Sequence, residues 1–295
     1  MNTPVDKIAE WLDWLSIDYA ATTIAAYAWE LRRLEAWAGR VLDRSVVDLS
    51  KADLARYLAQ RRALDLVGDA CVRRAVNAFR SFYSYAIGAK SPARSIPAPR
   101  VKKKRQRTLD GQLTLRLLSA PDTSSMRGRR DLALICLPLS TGLRASELCR
   151  LRLAELDMDA RRLSTKVKGG DDGDGVFGDY TQSVMASWLA VRESVAVSGV
   201  DTVFVSVGGN RPGTSLTPSG LRVIFRRIGK EAGIEHLSPH DLRRTFATLG
   251  HRFGASTRLI QVAGRWKDIE QVVQYTRALE AEDFDDFDPV SRLMA

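Results

Sequence analysis

The sequence predicts a mainly α-helical protein with a small β-sheet, divided into an N-terminal helical domain and a mixed α/β domain. Apolar residues recur every three to four positions through residues 1–90, which is typical of amphipathic helices. Short β-branched stretches occur only in the second half, and a proline-rich basic segment separates the halves. A chain of 295 residues is long enough for two cores. We therefore expect a helical domain at 1–92, a linker at 93–107 and a second domain with a C-terminal tail at 108–295.

Two apolar stripes define helices in the first domain, formed by Ile24, Tyr27, Leu31 and Leu34 and by Val72, Val76, Phe79 and Tyr83. Ser50 followed by Asp53 resembles a capping box, which predicts that a helix begins at Lys51. Gly88 follows the second stripe and is placed to end its helix. These signals together indicate a small helical bundle.

The linker is basic. Seven positive charges and no acid occur between residues 93 and 107, at Arg94, Arg100, Lys102, Lys103, Lys104, Arg105 and Arg107. Residues 1–107 carry 20 Lys and Arg against 11 Asp and Glu, whereas residues 108–295 carry 25 against 24. The excess favours contact with a polyanion such as DNA, made mainly by the first half. An ordinary solvated linker is the alternative interpretation.

The second domain is expected to be helical with one hairpin. We predict a helix over 130–139, a hairpin from 163–167 and 176–180 around a glycine-rich loop, a helix capped by Thr181, a short strand at 202–207, and helices after Thr217-Pro218 and Ser238-Pro239. In the last two pairs, proline occupies the first helical position after a capping residue.

Cysteine usage and the N-terminus indicate a cytoplasmic protein. Cys71, Cys136 and Cys149 form neither a disulfide framework nor a zinc motif, and each lies in an apolar helical pattern, as buried free thiols do. The N-terminus has no apolar signal core, and the longest apolar run, 132–139, is too short to span a bilayer.

His240 and Arg243 are candidates for binding an anion. Ser238 is placed to begin a helix, and Asp241 to complete its capping box. His240 and Arg243, three residues apart, would share one face near the positive end of that helix. An isolated histidine–arginine pair is more often simply a pair of surface residues.

The wider pattern is more specific. Thr141 to Leu148 read TGLRASEL, His240 to Arg243 read HDLR, and Trp266 precedes Tyr275 by nine residues. This combination resembles the tyrosine site-specific recombinases of the phage integrase family. The build is similar to the Xer or Cre type, so no arm-site-binding module is expected. The resemblance implies a core-binding helical domain followed by a catalytic domain.

The resemblance also implies the chemistry. Arg144 and Arg243 would bind the non-bridging oxygens of a scissile phosphate, and the Trp266 indole would donate to it. Tyr275 would be the nucleophile and would form a 3′-phosphotyrosyl intermediate, with His240 managing its proton. No metal or other cofactor is expected. The general acid would be Lys168, with Lys166 as a competing candidate, although the Asp- and Gly-rich loop after Lys168 departs from the family pattern.

The expected partner is double-stranded DNA with a specific site. Predicted DNA-binding residues are Arg73, Asn77, Arg80, Lys102, Lys103, Lys104 and Arg105. The resemblance further implies a homotetramer on two DNA sites, assembled through the apolar stripe of the C-terminal tail, with folding back onto the same subunit as the alternative. No membrane partner is expected.

Two other functions are weighed: a type IB topoisomerase-like enzyme that relaxes DNA, and a non-catalytic sequence-specific DNA-binding protein.

Overall fold

The structure, a computed structural model, describes residues 6–101, 107–166 and 172–276. The chain forms two compact units, Met1–Lys104 and Arg105–Ala295. The division falls inside the predicted linker 93–107. The first unit is helical and the second adds a three-stranded sheet to its helices, so the predicted fold class is confirmed.

Helices make up the regular structure described for the first unit: α1 (Lys7–Leu15), α2 (Ala21–Leu42), α3 (Lys51–Leu64) and α4 (Asp69–Ile87). Their core is rich in aromatic side chains. Trp11 packs edge-on against Phe82, with ring centroids 5.5 Å apart, and both are fully buried. Both predicted stripes contribute to this core, since Leu31, Leu34 and all four residues of the α4 stripe are buried.

The predicted helix ends in this unit are confirmed. Ser50 and Asp53 form the capping box of α3, in which the Ser50 N–H donates to the Asp53 carboxylate over 2.9 Å. Gly88 ends α4 with a φ of 59°, a left-handed value that glycine adopts readily.

The segment that follows α4 packs onto the same core. Ala93 and Ile96 are buried among its side chains. Arg80 of α4 donates a hydrogen bond of 2.6 Å to the Ile96 carbonyl. The packed part of the first unit therefore extends past residue 92, into the range predicted as linker.

The second unit is built around one buried helix. Its elements are α5 (Gly111–Ser119), α6 (Met126–Thr141), α7 (Ala145–Arg150), β1 (Leu156–Asp157), β2 (Arg162–Lys166), β3 (Asp172–Val176), α8 (Asp179–Arg192), α9 (Pro218–Glu231), α10 (Pro239–Arg252), α11 (Thr257–Ala263) and α12 (Ile269–Thr276). Helix α6 is buried almost all round from Arg130 to Pro138 and packs against α8 and α10. Thr217 and Ser238 immediately precede α9 and α10, as predicted, and each helix has proline at its first position.

The strands form an antiparallel sheet in the order β1-β2-β3, with Leu163 opposite Gly175. The predicted second strand of the hairpin, 176–180, is wrong by four residues. Residues 172–176 form it although aspartate and glycine disfavour strands, because pairing with β2 supplies hydrogen-bond partners for their backbone. A Cβ on Gly175 would lie 3.0 Å from Leu163 Cδ1, so glycine permits this close packing.

Three smaller predictions in this unit are corrected. Helix α8 begins at Asp179, and the Thr181 hydroxyl hydrogen-bonds Ser140 over 2.8 Å instead of capping the helix. Residues 202–207 form no continuous strand and take part only in single bridges. Cys136 and Cys149 are buried free thiols, whereas Cys71 is half-buried. Burial raises the pKa of Cys136 to about 12.

Candidate active site

The turn after α6 positions Arg144. Gly142 ends α6 with a φ of 65°, and Arg144 is the N-cap of α7. The Arg144 guanidinium donates to Glu147 over 2.6 Å and to the Arg265 carbonyl over 3.0 Å. Only two of its five N–H groups are used in these bonds, and the side chain is 37% exposed. Arg144 is therefore fixed in place yet able to bind an anion.

The predicted capping box positions His240 and Arg243. The N–H and the hydroxyl of Ser238 both donate to the Asp241 carboxylate over 2.9 Å. Arg107 adds a bond of 2.6 Å to the same carboxylate. Because Asp241 is buried, these bonds fix the start of α10 firmly. His240 and Arg243 therefore project from a well-anchored first turn.

Arg243 is a buried cation. It is 2% exposed, donates to the Gly142 carbonyl, and lies with its guanidinium carbon 4.0 Å from the centroid of the Trp266 ring. Its second terminal nitrogen is buried and has no hydrogen-bond partner among the described residues. Burial first, and the nearby charge of Arg144 second, lower the pKa of Arg243 to about 9. An anion bound beside both guanidiniums would relieve the repulsion between the two arginines.

His240 has an environment that favours the neutral ring. Partial burial, followed by the positive charges of Arg244 and Arg243, lowers the pKa of His240 below its usual 6.5. Asp241 opposes this shift, and Arg144 adds to it. A neutral imidazole near pH 7 can accept a proton, as a general base must.

Trp266 and Tyr275 belong to a small apolar cluster that is separate from the main core. The Trp266 ring stacks on Phe246 at 6.1 Å and meets the Tyr275 ring at 5.9 Å. Helix α12 packs against α10 and α11, and the Thr248 hydroxyl donates to the Tyr275 carbonyl over 3.1 Å. Tyr275 is 7% exposed, so packing within this cluster, including the contact with Trp266, fixes its position.

Five of the six predicted catalytic residues line one cleft of about 470 Å³. Its walls are Leu143, Arg144, Ala145, Ser146, Pro218, Arg222, Pro239, His240, Arg243, Trp266, Gln271 and Tyr275. Lys168 lies outside the described residues. Lys166 is the last residue of β2, and its backbone pairs with Asp172.

Two arginines at or beside the cleft were not predicted. Arg222, on α9, lines the cleft and is exposed. The only signal for it in the sequence is its place in the first turns of a helix that Thr217-Pro218 predicts. Arg265 is buried behind Arg144 and Glu147. Three of its four partners, Thr141, Glu147 and Asp174, lie far from it in sequence, where no local pattern reveals them.

The predicted DNA-binding residues have different settings. Arg73 and Asn77 are exposed on α4, whereas Arg80 is half-buried and already bonded to Ile96. The neighbouring Arg74 forms an ion pair of 3.0 Å with buried Glu30. Lys102, Lys103, Lys104 and Arg105 lie outside the described residues, as does the tail beyond 276.

Among the described residues, no three His, Cys, Asp or Glu side chains cluster as metal ligands would. In the same part of the chain, no helix combines the length and apolar character needed to cross a bilayer.

Residues 107–282, more than half of the chain, match the phage integrase family, and residues 8–90 match the phage integrase N-terminal SAM-like domain. The chain belongs to the phage integrase family. Membership confirms the resemblance drawn from the TGLRASEL and HDLR segments. It also accounts for the pairing of a helical first unit with a mixed α/β second unit.

Relatives within the phage integrase family include the tyrosine recombinases XerC of Xanthomonas campestris pv. campestris (strain B100) and Xylella fastidiosa (strain M23). The first is 32% identical over 173 residues, covering 57% of this chain and 53% of the relative. The second is 34% identical over 172 residues, covering 57% and 58%. The matched segment thus spans little more than half the length of these curated relatives.

Solved structures of the phage integrase fold resemble the chain over nearly its whole length. The XerH site-specific recombinase in a post-cleavage complex with palindromic difH substrate has a TM-score of 0.70 at 19% identity, covering 99% of this chain and 91% of that one. A lambda integrase tetramer bound to a Holliday junction has a TM-score of 0.69 at 16% identity, covering 93% and 78%. At these identities the likeness establishes the fold.

Proposed function

We propose that this protein is a site-specific tyrosine recombinase, an enzyme that cleaves and rejoins DNA strands through a 3′-phosphotyrosyl intermediate. The observation that carries the proposal is the cleft that joins Arg144, His240, Arg243, Trp266 and Tyr275. Arg243 is buried, and one of its terminal nitrogens has no hydrogen-bond partner among the described residues. An anion in the cleft is therefore favoured by the charges of Arg243 and Arg144. A phosphodiester supplies such an anion, and its phosphorus gives the nearby Tyr275 phenol a group to attack.

In the proposed cleavage step, Arg144 and Arg243 bind the non-bridging oxygens of the scissile phosphate. The Tyr275 phenol oxygen attacks phosphorus, and its proton passes to neutral His240. The phosphorus–tyrosine bond forms as the bond to the 5′ oxygen breaks. Negative charge that builds on the equatorial oxygens in the transition state is stabilised by the two guanidiniums and by the Trp266 indole.

The departing 5′ oxygen needs a proton, which we assign to Lys168 with Lys166 as the alternative donor. The phosphotyrosyl bond conserves the energy of the phosphodiester. A 5′ hydroxyl from another strand then gives its proton to the now neutral lysine and attacks phosphorus, and Tyr275 leaves with the proton that His240 held. The proposed reaction needs neither a nucleotide cofactor nor a metal ion.

The proposed substrate is double-stranded DNA with a specific site, bound by two units of the chain. The proposed DNA contacts are exposed Arg73 and Asn77, half-buried Arg80, and the basic segment Lys102, Lys103, Lys104 and Arg105. Lambda integrase is described as a tetramer on a Holliday junction. By analogy we propose a homotetramer on two sites, with the C-terminal tail docking on a neighbouring subunit or on its own. We propose the cytoplasm as its location.

A nicked DNA substrate tests the proposal. Once cleaved near the nick, such a substrate releases the short strand that carries the 5′ hydroxyl, so the covalent adduct accumulates. We expect a DNA–protein adduct in the presence of a metal chelator, and none with Tyr275→Phe. Phenylalanine keeps the packing against Trp266, so loss of the adduct cannot be ascribed to a cavity. An adduct that survives this substitution would overturn the assignment of the nucleophile.

Two further assays separate the other functions. A type IB topoisomerase-like enzyme would relax supercoiled DNA of any sequence, whereas the proposed recombinase requires paired sites. A protein that binds a specific sequence but forms no adduct would be the non-catalytic alternative. The curated relatives are recombinases, which favours recombination between sites.

A further inference from the structure

Arg265 combines two features that each carry a cost. Its φ is 56°, in the left-handed region that favours glycine, and its side chain is buried. Burial lowers the pKa of Arg265, and Glu147 only partly offsets this effect. A glycine at this position would avoid both costs, which indicates that the arginine side chain performs a task here.

The Arg265 guanidinium joins four segments of the second unit. It donates to the carbonyls of Thr141 over 3.1 Å, Ala263 over 3.0 Å and Asp174 over 3.3 Å, and it forms an ion pair with Glu147 at 3.5 Å. These segments are the end of α6, the end of α11, strand β3 and helix α7. Arg265 thereby ties the hairpin to the turn that precedes Arg144.

Glu147 lies between two arginines. Burial alone would raise the pKa of Glu147, but the backbone N–H and guanidinium of Arg144, together with the charge of Arg265, lower it below its usual range. The carboxylate is therefore ionised. If Arg144 were its only ionic partner, the charge of Arg144 would be largely neutralised in place, at the expense of any bound anion.

We propose that Arg265 is a positioning residue for the cleavage reaction. It supplies the second counter-charge for Glu147, which leaves the charge of Arg144 available to the scissile phosphate. Its main-chain carbonyl, held by the left-handed backbone, also aims the Arg144 guanidinium. This inference rests on the proposed function and goes beyond it, because Arg265 touches no substrate in the proposed cleavage step.

The test compares four variants on the nicked substrate in single-turnover conditions, with DNA affinity and melting temperature measured for each. Arg265→Gln keeps most of the side chain without its charge. Arg265→Gly removes the side chain but suits the φ. Glu147→Gln alone, and combined with Arg265→Gln, removes the carboxylate charge while its amide oxygen can still accept from the Arg144 N–H.

We expect Arg265→Gln and Arg265→Gly to slow cleavage by bound enzyme about 10- to 100-fold, with DNA affinity changed by no more than about twofold. Adding Glu147→Gln to Arg265→Gln should recover at least about fivefold of that loss, because it removes the charge that competes for Arg144. A purely structural role predicts no such recovery.

Arg192 offers a matched control. It is also a buried arginine, and it donates to the carbonyls of Val200 and Thr202, away from the cleft. Arg192→Gln should lower the melting temperature yet leave the cleavage rate of bound enzyme within about twofold.

Two results would overturn the inference: Arg265→Gln cleaving as fast as the original protein, or a loss that the added Glu147→Gln leaves unrelieved. Failure of the unsubstituted protein to form any adduct would instead overturn the proposed function, so the two failures are distinguishable.

Discussion

Arg243 lies in a setting unlike that of a surface arginine, and this determines how it should respond to substitution. Its guanidinium faces the Trp266 ring at 4.0 Å and bonds the Gly142 carbonyl. Lysine would keep the charge but could not fork onto two phosphate oxygens. We expect Arg243→Lys to lower the single-turnover cleavage rate by about 100-fold or more. A rate close to that of the original protein would show that charge alone suffices.

His240 sets the acid side of the expected pH profile. Burial, Arg244 and Arg243 disfavour the imidazolium, so the pKa of His240 lies below 6.5 and the ring is neutral near pH 7. The single-turnover cleavage rate should therefore stay constant near neutral pH and decrease only as pH drops through that lowered pKa. The pKa of His240 is lower in the folded protein than its ordinary value of 6.5. The unfolded chain therefore binds a proton at this residue more readily, and the free energy of unfolding should decrease as pH falls below about 6.5.

Arg244→Gln tests this cause. It removes the largest charge effect on His240, so the pKa of His240 should rise and the acid limb of the profile should move to higher pH. The measurement is the single-turnover rate across pH for both proteins. An unmoved acid limb would mean that another group accepts the proton.

At this scale, the position of a site residue on its element could be predicted where one local pattern carried the signal. His240 and Arg243 follow from a capping box, and Arg144 from a turn with glycine at its end. The catalytic roles of Arg144, His240 and Arg243, like that of Lys168, stay predictions. No local pattern reveals Arg265, because three of its four partners, Thr141, Glu147 and Asp174, lie far from it in sequence.

At the scale of elements, the turn between α6 and α7 is a tightly packed junction of the site. Gly142 has a φ of 65°, and a Cβ there would lie 2.8 Å from the Phe246 ring and 3.3 Å from Gly264. We expect Gly142→Ala to lower the free energy of unfolding by about 1–3 kcal/mol, measured by urea denaturation, and to slow cleavage by displacing Arg144.

Gly220→Ala is the matched control for this turn. Gly220 lies within α9, and a Cβ there would approach the Thr217 hydroxyl no more closely than 3.4 Å, an ordinary contact distance. The free energy of unfolding should stay the same or rise by up to about 1 kcal/mol. Equal effects of the two substitutions would contradict the role assigned to the turn.

Helix starts were predicted more accurately than strands for a physical reason. A cap depends on residues within one turn, so Ser50, Thr217 and Ser238 could be identified locally. Strand β3 consists of Asp, Gly and Val, and its conformation depends on pairing with β2. The sequence predicts Thr181 as a cap, but its hydroxyl contacts Ser140 on another helix.

At the scale of the whole molecule, charge distribution predicts how DNA affinity responds to salt. The excess of positive charge lies in residues 1–107, which include Lys102, Lys103 and Lys104. Replacing these three lysines with glutamine should weaken binding to specific and non-specific DNA alike. For every phosphate that a lysine binds, its removal should flatten the slope of log affinity against log salt by about 0.9. An unchanged slope would exclude these lysines from phosphate binding.

In the proposed mechanism, Tyr275 attacks phosphorus while Arg144 and Arg243 hold the phosphate. The most direct test of this mechanism is mass spectrometry of the adduct trapped on the nicked substrate, after digestion of protein and DNA. We expect a nucleotide joined through its 3′ phosphate to the peptide that contains Tyr275. A nucleotide on any other residue, or DNA cleavage that leaves no covalent link to the protein, would contradict this mechanism.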